Sequence, residues 1–159
     1  MRKLLSVAIA LLLAAGMLAA CAGVPIAASD LDDAAKAFRA SEGKAAIYII
    51  PSFSASEVTV TMDGRKVGRL VPAQFLLLDV PPGRHVLYIT LAGLLWEALP
   101  REKSDDLTMD VAAGQCYFLR TIWTEENRKW SHPRIYLESM KEEEGRQAVL
   151  VRTYTPPLK

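Results

Sequence analysis

The chain has 159 residues, 51% of them apolar, and carries 19 Lys and Arg against 18 Asp and Glu. That length holds one modest domain, and a near-neutral balance without a concentrated basic patch excludes nucleic acid as a partner. With two cysteines and two histidines, the sequence offers no disulfide framework, no HExxH or CxxC motif and no close His/Asp/Glu cluster for a metal.

The amino end reads as an export signal. Arg2 and Lys3 precede an apolar run from Leu4 to Met17, broken only by Ser6 and Gly16, and Leu18-Ala19-Ala20-Cys21 follows. This is the anatomy of a secretory signal peptide closing on a bacterial lipobox. Small residues suit the peptidase just before the cut, the Cys21 thiol takes a diacylglycerol, and the freed amine accepts a further acyl chain. The run falls short of the roughly 20 apolar residues that span a bilayer. Each buried CH₂ of an acyl chain contributes about 0.8 kcal/mol, so two or more chains hold a protein on the membrane. The expected organisation is a signal peptide over 1–20, a lipidated tether over 21–29 and one β-sandwich domain over 30–155. No cofactor is expected beyond the covalent lipid on Cys21. Ala22 rather than Asp after the cysteine points to the outer membrane, facing the periplasm. With Cys21 consumed, Cys116 has no partner within the chain, and its apolar strand argues for a buried, inert thiol.

Beyond the tether, Asp30, Asp32 and Asp33 precede Lys36 and Arg39 in LDDAAKAFRA, an order that complements a helix dipole. Leu31, Ala34, Ala35 and Phe38 fall at helical spacing and form one apolar stripe. The segment reads as a short helix packed on the sheet or across its end, with a membrane-surface helix as the alternative that the acidic start disfavours. Ala45 to Ile50 is apolar on both alternating sets, as in a strand buried on two faces. Val58, Val60 and Met62 alternate with threonines, and Asp63-Gly64 is the usual pair for a type I′ hairpin turn. Lys66 to Leu70 returns, with Gly68 marking a bulge or a close backbone approach. Phe75 to Val80 and His85 to Leu91 read as a second hairpin across Pro81-Pro82-Gly83, with Gly83 supplying the positive φ of a type II turn.

Ala92 to Ser104 is greasy for a connector, with Leu94, Leu95, Trp96 and Leu99 between Gly93 and Pro100. It reads as a cover for the core or as an exposed lip for a partner or the bilayer. Leu107 to Val111 alternates, and Cys116 to Thr124 is the longest strand, with Tyr117, Leu119 and Trp123 opposite Cys116, Phe118 and Ile122. A polar loop leads to a last strand at Arg134 to Glu138. Ser139-x-x-Glu142 reads as a capping box opening a helix to about Val149, and Pro156-Pro157 as a loose tail. The fold class predicted is mainly β: a small antiparallel β-sandwich or barrel-like domain with a short N-terminal and a short C-terminal helix.

Taken together, Val60-x-x-Asp63-Gly64-x-x-x-Gly68, Pro81-Pro82-Gly83-x-His85 and Gly114-x-x-Tyr117 resemble an uncharacterised bacterial lipoprotein domain family related to PEGA-type β-sandwich modules. The resemblance runs from about Lys44 into the C-terminal helix. It departs at Ile50-Pro51, where the family often has Arg, and at Cys116, where an aromatic is frequent. It implies a β-sandwich in the cell envelope and carries no catalytic activity with it.

The residues themselves also argue against an enzyme. His85 adjoins a tight turn, which favours a structural hydrogen bond over a catalytic base, and His132 precedes Pro133 in a polar loop. There is no GxSxG elbow, and Glu142, Glu143 and Glu144 point around a helix start rather than across a substrate. The expected role is a membrane-anchored binding or assembly module, with an envelope protein as partner. A glycan or peptidoglycan ligand on the tryptophans is the alternative, and a hydrolase a distant third. The candidate interaction surface is Leu94, Leu95, Trp96, Trp123 and Trp130.

Overall fold

The computed structural model describes residues 28–52, 57–92, 103–124 and 134–158. These form two helices and nine strands in chain order: α1 (Ser29–Ala35), β1 (Ala45–Pro51), β2 (Glu57–Met62), β3 (Arg65–Leu70), β4 (Gln74–Val80), β5 (Gly83–Ala92), β6 (Leu107–Val111), β7 (Cys116–Thr124), β8 (Arg134–Ser139), α2 (Glu142–Leu150) and β9 (Thr153–Thr155). One sheet runs β8-β7-β1-β4-β9 and the other β3-β2-β5-β6. The protein is mainly β, and its two sheets pack face to face as a small sandwich.

β1 organises both layers. Ile47 and Ile49 point between the sheets, where they meet Val58, Val60, Leu76, Leu87, Ile89 and Leu119. Ala46, Tyr48 and Ile50 point the other way, against Phe75, Phe118, Ala35 and Val149, so the outer face of the larger sheet is roofed by α1 and α2. All seven β1 residues are buried, which is why both of its alternating sets must be apolar. Tyr48 and Phe118 stack with ring centroids 4.9 Å apart, and the Tyr48 hydroxyl donates to the Ala35 carbonyl at 3.0 Å. That bond answers the one polar atom of an otherwise apolar layer.

The β2–β3 hairpin forms as its sequence requires. Asp63 and Gly64 take φ of 50° and 78°, the double positive φ of a type I′ turn. The register slips between Val60 and Thr61, leaving Val67 as the bulged residue. A Cβ on Gly68 would lie 2.5 Å from a Leu76 methyl, so bulge and close approach coincide at this glycine.

Several expectations are corrected. β4 and β5 are not a hairpin: β4 lies in the larger sheet and β5 in the smaller. Pro81-Pro82 is therefore an arch between layers, and Gly83, at φ 133°, already opens β5 in place of the third position of a type II turn. The larger sheet is mixed and not purely antiparallel, because β1 runs parallel to β7 and β4 parallel to β9. α1 stops at Ala35, and the apolar stripe splits: Ala35 is buried while Leu31 stays 51% exposed. Ser139 ends β8 and caps nothing. α2 begins three residues later behind Lys141, without a side-chain cap bond. The tail is tied down, since Thr153–Thr155 adds a strand to β4 and the Leu158 N–H donates to the Val67 carbonyl at 2.9 Å.

Gly145 has a positive reason to sit inside α2. A Cβ there would lie 2.3 Å from the Phe118 ring and 2.5 Å from its Cβ. Only glycine lets the helix approach the sheet this closely. At the other end of α2, the Arg152 guanidinium donates to the Ala148 carbonyl at 2.6 Å, placing a cation on the helix's free carbonyls.

Candidate functional site

The expected interaction residues divide sharply. Leu94, Leu95, Trp96 and Trp130 lie outside the described residues, as do Cys21, Ala22 and His132. Trp123 is described, and it packs against the inter-sheet core from β7. The packing explains its place in the alternation with Tyr117 and Leu119, and leaves the indole partly buried.

His85 is a clamp between two turns. The residue is 7% exposed. Nδ1 sits 2.7 Å from Asp63 Oδ2, and Nε2 sits 2.9 Å from the Pro81 carbonyl. Both partners are acceptors, and only an imidazolium can donate to both at once. The Asp63 hydrogen bond, with help from the Pro81 carbonyl, therefore holds the His85 pKa above its ordinary value against the opposing effect of burial. Burial works against Asp63 too, but the bonds from His85 and from the Val86 N–H hold its carboxyl below the usual range. With both nitrogens engaged, His85 has no atom left to take a proton from a substrate. The clamp ties the β2–β3 turn to the arch between the sheets.

Cys116 lies half-buried at the start of β7, and its thiol donates to the Phe38 carbonyl at 3.4 Å. Burial pushes its pKa up, which lowers the thiolate fraction that nucleophilic chemistry needs. Among the described residues, no three His, Cys, Asp or Glu side chains gather where they could hold a metal.

A larger concave feature lies elsewhere among the described residues. β6 and β8 are the edge strands of the two sheets on the same side of the sandwich. Between them opens a groove of about 430 Å³, floored by Leu107 and Leu137 and rimmed by Asp105, Asp106, Thr124, Arg134 and Tyr136. The Arg134 guanidinium reaches Asp105 at 3.1 Å across it, and Lys103 pairs with Asp106 at 2.7 Å. The Lys103 ammonium also sits 4.0 Å from the centroid of the Tyr88 ring. Apolar floor, mixed-charge rim and a partly exposed tyrosine can take up a peptide or another protein's strand.

The opposite side of the sandwich is closed. β9 is short, β3 is bulged and carries Arg65, Lys66 and Arg69, and Leu158 bonds across to Val67. Such devices protect an edge from further pairing. The groove was invisible in the sequence because Asp105, Thr124 and Tyr136 share no motif, and they meet only once two separate sheet edges are stacked. No family model, no curated protein and no solved structure matches the chain.

Proposed function

We propose that this protein is a bacterial envelope lipoprotein, held by an acylated Cys21, whose β-sandwich is a non-catalytic binding or assembly module. The observation that carries the binding role is the asymmetry of the sandwich. One side is sealed by the bulged β3 and the bonded tail, and the other offers two edge strands and a groove of about 430 Å³. The lipobox Leu18-Ala19-Ala20-Cys21 supports the anchor, and Ala22 supports the outer membrane, facing the periplasm. The PEGA-like resemblance supports the same envelope role. The partner we favour is another envelope protein, because the groove lies between strand edges whose main-chain groups can pair with an extended segment. The glycan reading is the second one: of the tryptophans it calls on, Trp123 is partly buried against the core.

Two measurements test this. Mass spectrometry of the amino-terminal peptide should find a diacylglyceryl group on Cys21, and Cys21→Ser should accumulate as precursor. A photo-crosslinking residue at Tyr136 should trap a discrete adduct in cells, while the same residue at Arg65 on the sealed side should not. Equal labelling at both positions, or none at Tyr136, defeats the groove as the binding surface.

A further inference from the structure

The large apolar side chains left exposed among the described residues are Leu31 (51%), Leu150 (48%), Val151 (78%) and Leu158 (42%). They are not scattered. The Tyr154 N–H donates to the Asp32 carboxylate at 2.6 Å, so α1, which carries Leu31, lies against β9. Leu150 and Val151 stand at the end of α2, just before β9 begins at Thr153, and Leu158 ends the tail that leaves β9 for Val67. All four thus border the β9 edge of the larger sheet. A soluble surface tolerates single exposed apolar residues, whereas a set on one edge marks a contact.

The chain itself says what that contact is. Cys21 is seven positions before Ala28, the first described residue, and seven residues fully extended span at most roughly 25 Å. Ala28 immediately precedes α1, on the same edge as the exposed apolar set. An acyl chain on Cys21 therefore joins the domain at this edge, which is the part of the sandwich nearest the point where the tether enters. The opposite edge of the five-stranded sheet is β8, about 19 Å away at the usual strand spacing.

We propose that the α1–β9 edge rests on the lipid surface through Leu31, Leu150, Val151 and Leu158, holding the β6–β8 groove open toward the aqueous compartment. Asp30 and Asp33 on α1 are repelled by an anionic surface, so this edge is suited to zwitterionic headgroups. This orientation rests on the lipoprotein reading and adds which way the module faces.

The test uses full-length acylated protein in phosphatidylcholine–phosphatidylethanolamine vesicles, with Cys116→Ala removing the competing thiol. A polarity-sensitive fluorophore is placed at Val151→Cys or Leu158→Cys, and in a separate protein at Asp106→Cys on the groove rim. Nitroxide-labelled lipid should quench the first two at least twofold and leave the third unchanged. Circular dichroism confirms that each variant is folded. Intact mass separates the two ways of failing. Acylated protein quenched equally at all sites, or more at Asp106→Cys, overturns the orientation alone. A mass without the acyl group removes the anchor and the orientation together.

Discussion

His85 illustrates how one side chain can make a fold sensitive to pH without performing any chemistry. Its folded pKa is raised above 6.5, so its stabilisation is complete below that unfolded value and disappears as pH climbs through the folded one. Asp63 has a folded pKa below 3.8, so its share is present above 3.8 and is lost as acid protonates the carboxylate. Both contributions therefore hold together between roughly pH 4 and 6.5. The Asp63 side chain is 45% exposed, which screens the pair, so breaking the clamp should cost about 1–2 kcal/mol. Urea denaturation at pH 6 should show His85→Gln less stable by that amount. Raising the pH to 8.5 should weaken the wild-type protein and bring the two curves together. A pH-independent gap between them would mean that packing, not the imidazolium, is what His85 supplies.

At the scale of elements, the seat of α2 on the larger sheet depends on one missing methyl. Gly145→Ala would place a carbon within 2.5 Å of the Phe118 Cβ, close to the backbone of β7, where little can move aside. Overpacking of this kind costs about 1–3 kcal/mol, and it should outweigh the small helix-propensity gain from alanine. In a Phe118→Ala background the added cost of Gly145→Ala should shrink in thermal denaturation, since Cγ and Cδ1, two of the three clashing atoms, are then gone. Gly68→Ala should be milder, because its nearest neighbour is the end of the Leu76 side chain. The sequence revealed such elements where local chemistry is unambiguous: Asp63-Gly64 specified its turn, and the doubly apolar Ala45 to Ile50 specified a strand covered on both faces. It misled where local chemistry serves two purposes. Pro81-Pro82-Gly83 suits a hairpin and an arch between sheets equally, and only the pairing of β4 with β1 and of β5 with β2 distinguishes them. Thr153–Thr155 is too short to register as a strand without β4 beside it. Ser139-x-x-Glu142 has capping spacing, but its serine was taken by pairing with Leu119. The groove was least legible, since its residues come from β6, β7 and β8 and from the turn preceding β6.

For the molecule as a whole, β1 makes the two apolar layers one cooperative unit. Ile47 and Ile49 belong to the inter-sheet core and Tyr48 and Ile50 to the layer under the helices, so loosening β1 exposes both at once. Truncating Ile49 should cost about 2–5 kcal/mol, and the loss should register equally in strand and helix signals. Far-ultraviolet and near-ultraviolet circular dichroism should accordingly trace coincident urea transitions for the wild type and for Ile49→Ala. Helices melting before sheets would show that the outer layer is an independent appendage. Topology sets the speed of this unit as well. β1 finds its parallel neighbour β7 across a long gap, with Ser52 and Thr121 bonded at a separation of 69 residues, and Thr155 meets Gln74 across 81. Closing such loops must precede the contacts that reward it, so refolding belongs in the millisecond-to-second range of non-local β proteins. Removing residues 153–158 would leave the edge of β4 unpaired and strip Gln74 of its Thr155 partner. That truncation should lower stability and draw the protein into oligomers on size-exclusion chromatography, because an open strand edge recruits whatever strand is nearest. If the shortened protein remains monomeric and as stable as the full chain, β9 is not the seal, and the contrast between a closed and an open side of the sandwich loses its basis.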